Sequence, residues 1–318
     1  MINSILIIGL GNIGERHFES VCNINKKLEI YLVDPNIFNS KKKLIKVNKY
    51  NHKLIFSKNI KNFKINFDFV IISTNSDIRK KILFETLKKN QLKKVILEKV
   101  TFTNINDYNQ VIRKIEKDNI DCFINYPRNF LVSYRNLKRK ISNKHPIKCK
   151  ISGSNWGLAS NSFHFISLFS YLTNFKDIFI NNCNLSRPFR SKREGYYEFN
   201  GRLEIMTKNK DILILEDLRN YSEYVTISIE NNKNFFLIFE KFKKIINLNF
   251  DNNIKITNKH FNFLLQSEIT KGYLNSRNID KLESININKL FRNEKILLKV
   301  FLKEFNRYKK FKNKCPIT

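Results

Sequence analysis

The chain is poorest in glycine, proline, cysteine and histidine. Its 318 residues include 8 Gly, 5 Pro, 5 Cys, 5 His and 1 Trp. So little glycine and proline excludes collagen-like and low-complexity architectures, whose compositions those residues dominate. The cysteines (Cys22, Cys122, Cys149, Cys183 and Cys315) are odd in number, scattered, and form no C-x-x-C pair. That pattern excludes a disulfide framework and a structural zinc site, and it points to a reducing, cytoplasmic setting. No H-x-x-x-H pair occurs either, so no metal site is expected. No apolar run approaches the length of about 18 residues that a transmembrane helix needs. The opening Met1–Ile8 lacks a basic lead and a small-residue cleavage site, so it reads as a buried first strand rather than a signal peptide.

Acidic residues are scarce too. Against 59 Lys and Arg there are 28 Asp and Glu, a net charge of +31. Clustered on one face, such an excess would be the footprint of nucleic-acid binding. Here the lysines sit singly or in short groups (Lys41–Lys43, Lys80–Lys81, Lys309–Lys310), and the chain is rich in Ile, Lys, Asn and Phe, all with A/T-rich codons. The charge is therefore read as codon drift and solvated helical faces, with attraction of small anions as its milder consequence. Nucleic acid is not an expected partner, nor is a membrane.

The chain is 42% hydrophobic, and its length suits two domains. In the first third, unbroken apolar runs alternate with amphipathic stretches. Strands are expected at Ser4–Ile8, Glu29–Val33, Leu54–Phe56, Asp68–Thr74, Lys94–Glu98 and Ile120–Asn125. Helices are expected at Ile13–Asn25, Asp77–Asn90 and Asn106–Lys117. Strands without alternation are those buried on both faces, so this is a doubly wound parallel sheet. Beyond Tyr126-Pro127 the texture changes. Helices are expected at Asn129–Ser142 and Asn161–Leu172 around a strand at Lys148–Ser152. Strands then follow at Asp177–Asn184, Tyr196–Thr207, Asp211–Leu218, Tyr224–Glu230, Asn234–Glu240 and Ile245–Phe250, before closing helices at Lys259–Lys271 and Asn286–Tyr308. Alternation such as Val225-Thr226-Ile227-Ser228-Ile229 marks a sheet with one wet face. The expected fold is thus α/β plus α+β: residues 1–125 a Rossmann domain, and 126–318 a second domain on a largely antiparallel, open-faced sheet.

Three of the eight glycines fall in Gly9-Leu10-Gly11-Asn12-Ile13-Gly14, a G-x-G-x-x-G between the first strand and the first helix. Gly9 permits the tight turn, Gly11 lets the backbone approach a pyrophosphate, and Gly14 allows helix and strand to pack closely. The pyrophosphate would rest on the first-turn N–H groups around Asn12 and Ile13. Asp34 ends the second strand, where its carboxylate would accept the ribose hydroxyls and repel a 2′-phosphate, favouring NAD over NADP. The bland alternatives are a glycine turn in another α/β domain with Asp34 a solvated strand end, or a Rossmann site for S-adenosylmethionine.

The order of motifs resembles the glucose–fructose oxidoreductase/inositol dehydrogenase/MocA (Gfo/Idh/MocA) oxidoreductases along essentially the whole chain. The resemblance runs through Gly9–His17, through Asp68–Thr74 followed by Asn75, and through Val95-Ile96-Leu97-Glu98-Lys99-Val100, where valine replaces the proline of a Glu-Lys-Pro signature. It continues at Asn125–Phe130 and Gly157–Ser167. It implies that Ser73, Thr74, Asn75 and Glu98 line the cofactor, and that Lys99 lies beside the nicotinamide and the reacting hydroxyl. It makes His164 the catalytic histidine and a sugar or sugar derivative, nucleotide-linked sugars included, the substrate. Three departures stand out: Arg79 replaces a histidine, and Ser160 and Ser167 replace aspartates. Read without the resemblance, Lys99 is one lysine among many, and His164 is a satisfied histidine on an amphipathic helix. Glu98 anchors Lys99 or the ribose, or merely caps a strand. Arg128 serves a carboxylate or phosphate and Trp156 a sugar ring, or both are packing residues. The leading expectation is an NAD-dependent sugar oxidoreductase, homo-oligomeric through its second domain. The alternative is an NAD-binding regulatory or sensor protein that has lost catalysis.

Overall fold

The computed structural model describes residues 2–142, 144–174, 176–219, 224–250, 255–261, 266–274, 287–311 and 313–318. They form two compact units, Met1–Asn125 with Leu264–Ile287, and Tyr126–Phe263 with Asn288–Thr318.

The first unit runs β1 (Ser4–Ile8), α1 (Asn12–Cys22), β2 (Glu29–Val33), α2 (Ile37–Val47), β3 (Lys53–Ser57), β4 (Asn66–Ile72), α3 (Arg79–Lys89), β5 (Gln91–Leu97), α4 (Ile105–Lys117) and β6 (Asp121–Ile124). All its strand pairs are parallel, in the order β3-β2-β1-β4-β5-β6. That is the doubly wound order of dinucleotide-binding sheets. Ile5, Leu6, Ile7, Phe69 through Ile72, and Val95 through Leu97 are wholly buried. Continuous apolar strands are what a sheet covered on both faces needs. The α2 helix was not expected from the sequence, because the lysines at 41–43 and 46 mask two buried anchors, Ile37 and Leu44, two turns apart.

The helix Gln266–Leu274 returns to this unit, although a contiguous domain at 1–125 was expected. The helix Gln266–Leu274 packs on α1. Tyr273 Oη donates to Ile124 O at 2.9 Å, and Thr270 Oγ1 meets His17 Nδ1 at 2.8 Å. The closing helices differ accordingly. Lys259 and His260 end a strand, the helix begins at Gln266, and residues 262–265 lie outside the described residues, as does Asn286.

The second unit contains α5 (Val132–Lys140), β7 (Lys148–Gly153), α6 (Leu158–Leu172), β8 (Ile178–Leu185), β9 (Phe189–Arg190), β10 (Tyr197–Glu198), β11 (Gly201–Thr207), β12 (Ile212–Asp217), β13 (Thr226–Asn231), β14 (Asn234–Phe239), β15 (Lys244–Asn249), β16 (Lys255–His260) and a final helix, Ile287–Asn306. Eight strands form one sheet in the order β16-β15-β14-β13-β7-β12-β11-β8, antiparallel except for β7 with β12. The expected single strand Tyr196–Thr207 is broken at Phe199 and Asn200. Phe199 turns its ring onto Phe301 and Phe305 of the final helix, and Asn200 Nδ2 reaches Asp217 Oδ1. One sheet face buries Ile151, Leu213, Leu215, Ile227, Ile229 and Ile238. By register the other face carries Phe235, Leu237, Ile246 and Leu248, all half-buried, and Ile256, exposed. Among the described residues no helix is long and apolar enough to cross a membrane.

Candidate functional site

The first unit gathers its site residues at the carboxyl ends of β1, β2, β4 and β5. Gly9 turns at φ +89°, and a Cβ there would lie 2.9 Å from Thr74 N. A Cβ on Gly14 would lie 1.9 Å from Gly9 O, so helix and turn can approach only without it. Gly11 differs: a Cβ there meets nothing within 4 Å. Gly11 and Asn12 are exposed and Ile13 is half-buried. No side chain caps α1 at Gly11, which leaves its first-turn N–H groups for an anion.

Half-buried Asp34 anchors this turn. Its Oδ2 accepts Leu10 N at 2.9 Å and its Oδ1 accepts Asn36 N at 2.8 Å. A carboxylate has about four acceptor sites, so capacity remains for ribose hydroxyls. Ser73 Oγ donates to Gly9 O at 2.6 Å, joining the β4 loop to the glycine turn at the point where strand order reverses. Thr74 Oγ1 is buried and has no partner among the described residues, while Asn75 is exposed. Open space at Gly11, uncapped helical donors, an anchored carboxylate and an orphaned hydroxyl together fit a dinucleotide.

Glu98 was expected at the cofactor, but its carboxylate points into a buried network. Its Oε1 accepts from His17 Nε2 at 2.7 Å and from Asn125 Nδ2 at 2.6 Å. Burial pushes this carboxyl up, but the hydrogen bonds from His17 and Asn125 and the charge of Arg79 outweigh it and hold the pKa below the ordinary value. Arg79, 2% exposed, donates to the carbonyl oxygens of Thr74, Glu98, Val100 and Thr101. It thus clamps the loops after β4 and β5. Half-buried Lys99 sits on that clamped segment, and the Lys99–Val100 peptide is cis. The sequence reading assigned no role to His17 or Asn125, because their partner lies 81 and 27 positions away and no local pattern marks the pairing.

The second unit places its expected residues around one open pocket of about 410 Å³. Arg128, Trp156, Asn161, His164, Phe165, Tyr224 and Glu240 line it. His164 projects from α6, half-buried, with its ring edge-on to Tyr126 at 5.8 Å. Tyr126 Oη in turn donates to Glu294 Oε1 at 2.8 Å. Trp156 is held by Nε1–H donating to Glu216 O at 2.7 Å and by an edge contact with Phe165. Two buried carboxylates fix the start of α6. Asp217 accepts the backbone N–H groups of Asn155, Trp156 and Gly157, and Glu198 accepts those of Ala159 and Ser160. Burial raises the Asp217 carboxyl above its ordinary value.

Arg128 is not free for an anion. Its Nε and Nη2 donate to Glu240 Oε1 and Oε2 at 2.9 and 2.7 Å, its guanidinium lies 4.4 Å over the Phe165 ring, and Tyr134 Oη also donates to Glu240. Burial works against both charges, but Glu240 holds the guanidinium pKa above its ordinary value. Glu240 lies 112 positions from Arg128, and nothing in the sequence pairs them. At the two departures, Ser160 has Glu198 on its N–H, and Ser167 Oγ accepts from Asn129 Nδ2 at 2.8 Å.

The glycine turn, the strand order and the carboxylate after β2 define a dinucleotide-binding Rossmann domain. Residues 3–126 match the sequence profile of the GFO_IDH_MocA oxidoreductase family, NAD-binding Rossmann fold. This domain belongs to that family of NAD(P)-binding oxidoreductases. The whole fold is similar to a dehydrogenase (MviM) from Clostridium difficile, at TM-score 0.69 and 14% identity over 94% of this chain and 98% of that one. It is similar to UDP-N-acetylglucosamine 3-dehydrogenase GnnA from Acidithiobacillus ferrooxidans, at TM-score 0.71 and 10% identity over 96% and 99%. It is also similar to a super-repressor mutant of Gal80p from Saccharomyces cerevisiae, at TM-score 0.72 and 12% identity over 96% of each chain. No curated protein sequence matches the chain.

Proposed function

We propose that the chain is an NAD-dependent oxidoreductase acting between a nicotinamide and a hydroxyl-bearing carbon of a sugar or sugar derivative. The observation that carries this reading is the convergence of the Gly9–Gly14 turn, Asp34, Thr74 and Lys99 at the carboxyl edge of one parallel sheet. Ligands of open α/β sheets bind beyond that edge, at the reversal of strand order. Asp34 favours NAD, since a 2′-phosphate would bring negative charge to a carboxylate already fixed by Leu10 and Asn36.

Bound NAD supplies the hydride chemistry. Lys99 hydrogen-bonds the reacting oxygen and stabilises the negative charge developing on it. His164 takes the hydroxyl proton during oxidation or returns it during reduction, as imidazole near neutral pH does well. Trp156 and Phe165 offer the apolar surface that a sugar's C–H face packs on. The five free cysteines, four of them buried, suit the cytoplasm. The apolar outer face of β14–β16 suits pairing of one copy with another, since unpartnered apolar patches mark interaction sites.

One observation favours a second reading, an NAD-binding regulator without turnover: positions 160 and 167 carry serine where the resemblance leads one to expect aspartate. GnnA is a nucleotide-sugar dehydrogenase and the similar Gal80p of Kluyveromyces lactis a transcriptional regulator, so similar folds serve both roles.

The deciding experiment follows NADH fluorescence during titration, with NADPH in parallel. Saturable NADH binding, about tenfold or more tighter than NADPH and weakened in Asp34→Ala, supports the reading. Absence of NADH binding overturns both readings. Bound NADH without turnover of any sugar or nucleotide sugar leaves the regulator.

A further inference from the structure

The Arg128–Glu240 pair changes what the second-unit pocket selects. We infer that this pair makes the pocket select an uncharged sugar ring through neighbouring hydroxyls and reject one bearing a carboxylate. The inference rests on the proposed sugar site and adds its selectivity.

Alone in a pocket, an arginine recognises carboxylate or phosphate through its planar fork. Here the Nε and Nη2 edge of that fork is already filled by Glu240, and each side chain keeps 18% of its surface exposed. Tyr134 Oη fills the second site on Glu240 Oε1, holding the carboxylate in place. Among the described residues, three N–H donors of Arg128, the second on Nη2 and both on Nη1, and one acceptor site on Glu240 Oε2 are left over. A donor and an acceptor side by side match hydroxyls, each of which both donates and accepts. A carboxylate ligand could accept from these donors only by bringing its charge against Glu240, and like charges in a shared site oppose each other strongly. An ammonium group would meet the opposite conflict with Arg128. The apolar walls Trp156, Phe165 and Tyr224 complete a site for a neutral ring. Lys241 also lines the pocket, but it is exposed, with its ammonium 4.2 Å over the Tyr224 ring.

The test is saturation-transfer NMR on the full chain with NADH present. The probes are neutral hexoses (D-glucose, D-galactose, D-mannose) and the uronates D-glucuronate and D-galacturonate, with dissociation constants taken by titration. At least one neutral hexose is expected to bind about tenfold or more tighter than the uronate of its own configuration. In Glu240→Gln the preference should invert, because the fork is freed and the opposing charge removed. Glu240→Asp keeps the charge, so it should keep rejecting uronates even if the neutral sugar binds less well. Uronates that bind wild type as tightly as hexoses overturn the selectivity and leave the sugar reading standing. So does an unchanged preference in a folded Glu240→Gln. If neither class binds while NADH does, the selectivity is overturned, and the sugar reading is then decided separately by the turnover screen that includes nucleotide sugars.

Discussion

His17 and Glu98 lie 81 positions apart and meet at 2.7 Å, Nε2 to Oε1, both buried. The contact ties the glycine-turn helix to the end of β5, one residue before Lys99. Glu98 titrates below its ordinary carboxyl value, so the folded state binds its proton more weakly than the unfolded chain does. Its contribution to stability is therefore complete above about pH 4.5 and lost as pH falls below that. Glu98→Gln should lower stability at pH 7 by about 1.5–3 kcal/mol and flatten the acid limb. Urea unfolding across pH 3–7 checks this, and an acid limb unchanged in the variant would refute the assignment.

Arg79 supports the same segment through four carbonyl groups. Lysine offers one compact ammonium with three N–H donors in place of a planar fork with five. Arg79→Lys should destabilise the protein by about 2–4 kcal/mol, the range for disrupting a buried, charge-assisted network. Equilibrium denaturation measures it. A loss below about 0.5 kcal/mol, the range of ordinary surface changes, would make the clamp incidental.

The glycines should separate fold from ligand binding. Gly14→Ala forces a methyl onto Gly9 O and should unfold or grossly destabilise the first unit. Gly11→Ala places its methyl in open space at an ordinary φ of −71°, so its melting curve should match wild type. NADH affinity should nevertheless fall about tenfold or more, since the methyl occupies the path of the pyrophosphate. Equal NADH affinity in Gly11→Ala would remove the pyrophosphate from this turn.

Catalysis should divide differently. Lys99→Met and His164→Asn should each lower kcat by roughly 10²–10⁴-fold, with NADH affinity within about twofold of wild type. Steady-state turnover alongside fluorescence titration reads both. Full activity in either variant would strike that residue from the mechanism.

Much of the fold was legible because two physical signals were strong. β1 and β2 were readable to the residue, since strands buried on both faces are unbroken apolar runs bounded by polar residues. The glycine turn was readable because each glycine answers a steric demand. What escaped depends on distance in sequence: Glu98 with His17, Arg128 with Glu240, and the return of Gln266–Leu274 to the first unit. β16 was missed in part because Lys259 and His260 offer no apolar alternation, and pairing with β15 supplies the order that composition does not.

The outer sheet face offers a further check. Leu237→Lys with Leu248→Lys puts two charges on the half-buried apolar stripe without touching the inner face. Sedimentation velocity should show dissociation to monomer, with the melting temperature little changed. A wild-type monomer, or an assembly indifferent to the double change, would relocate or remove the interface.

The return of the helix Gln266–Leu274 to the first unit sets a schedule for biosynthesis. The glycine turn and all six parallel strands leave the ribosome early, yet the helix that covers α1 is made only after residues 126–263. At roughly 5–20 residues per second, that interval is about 7–28 s. During it the α1 surface that meets this helix stands uncovered, and Thr270 is not yet there to engage His17. The first unit therefore gains its last helix only when most of the chain has been translated.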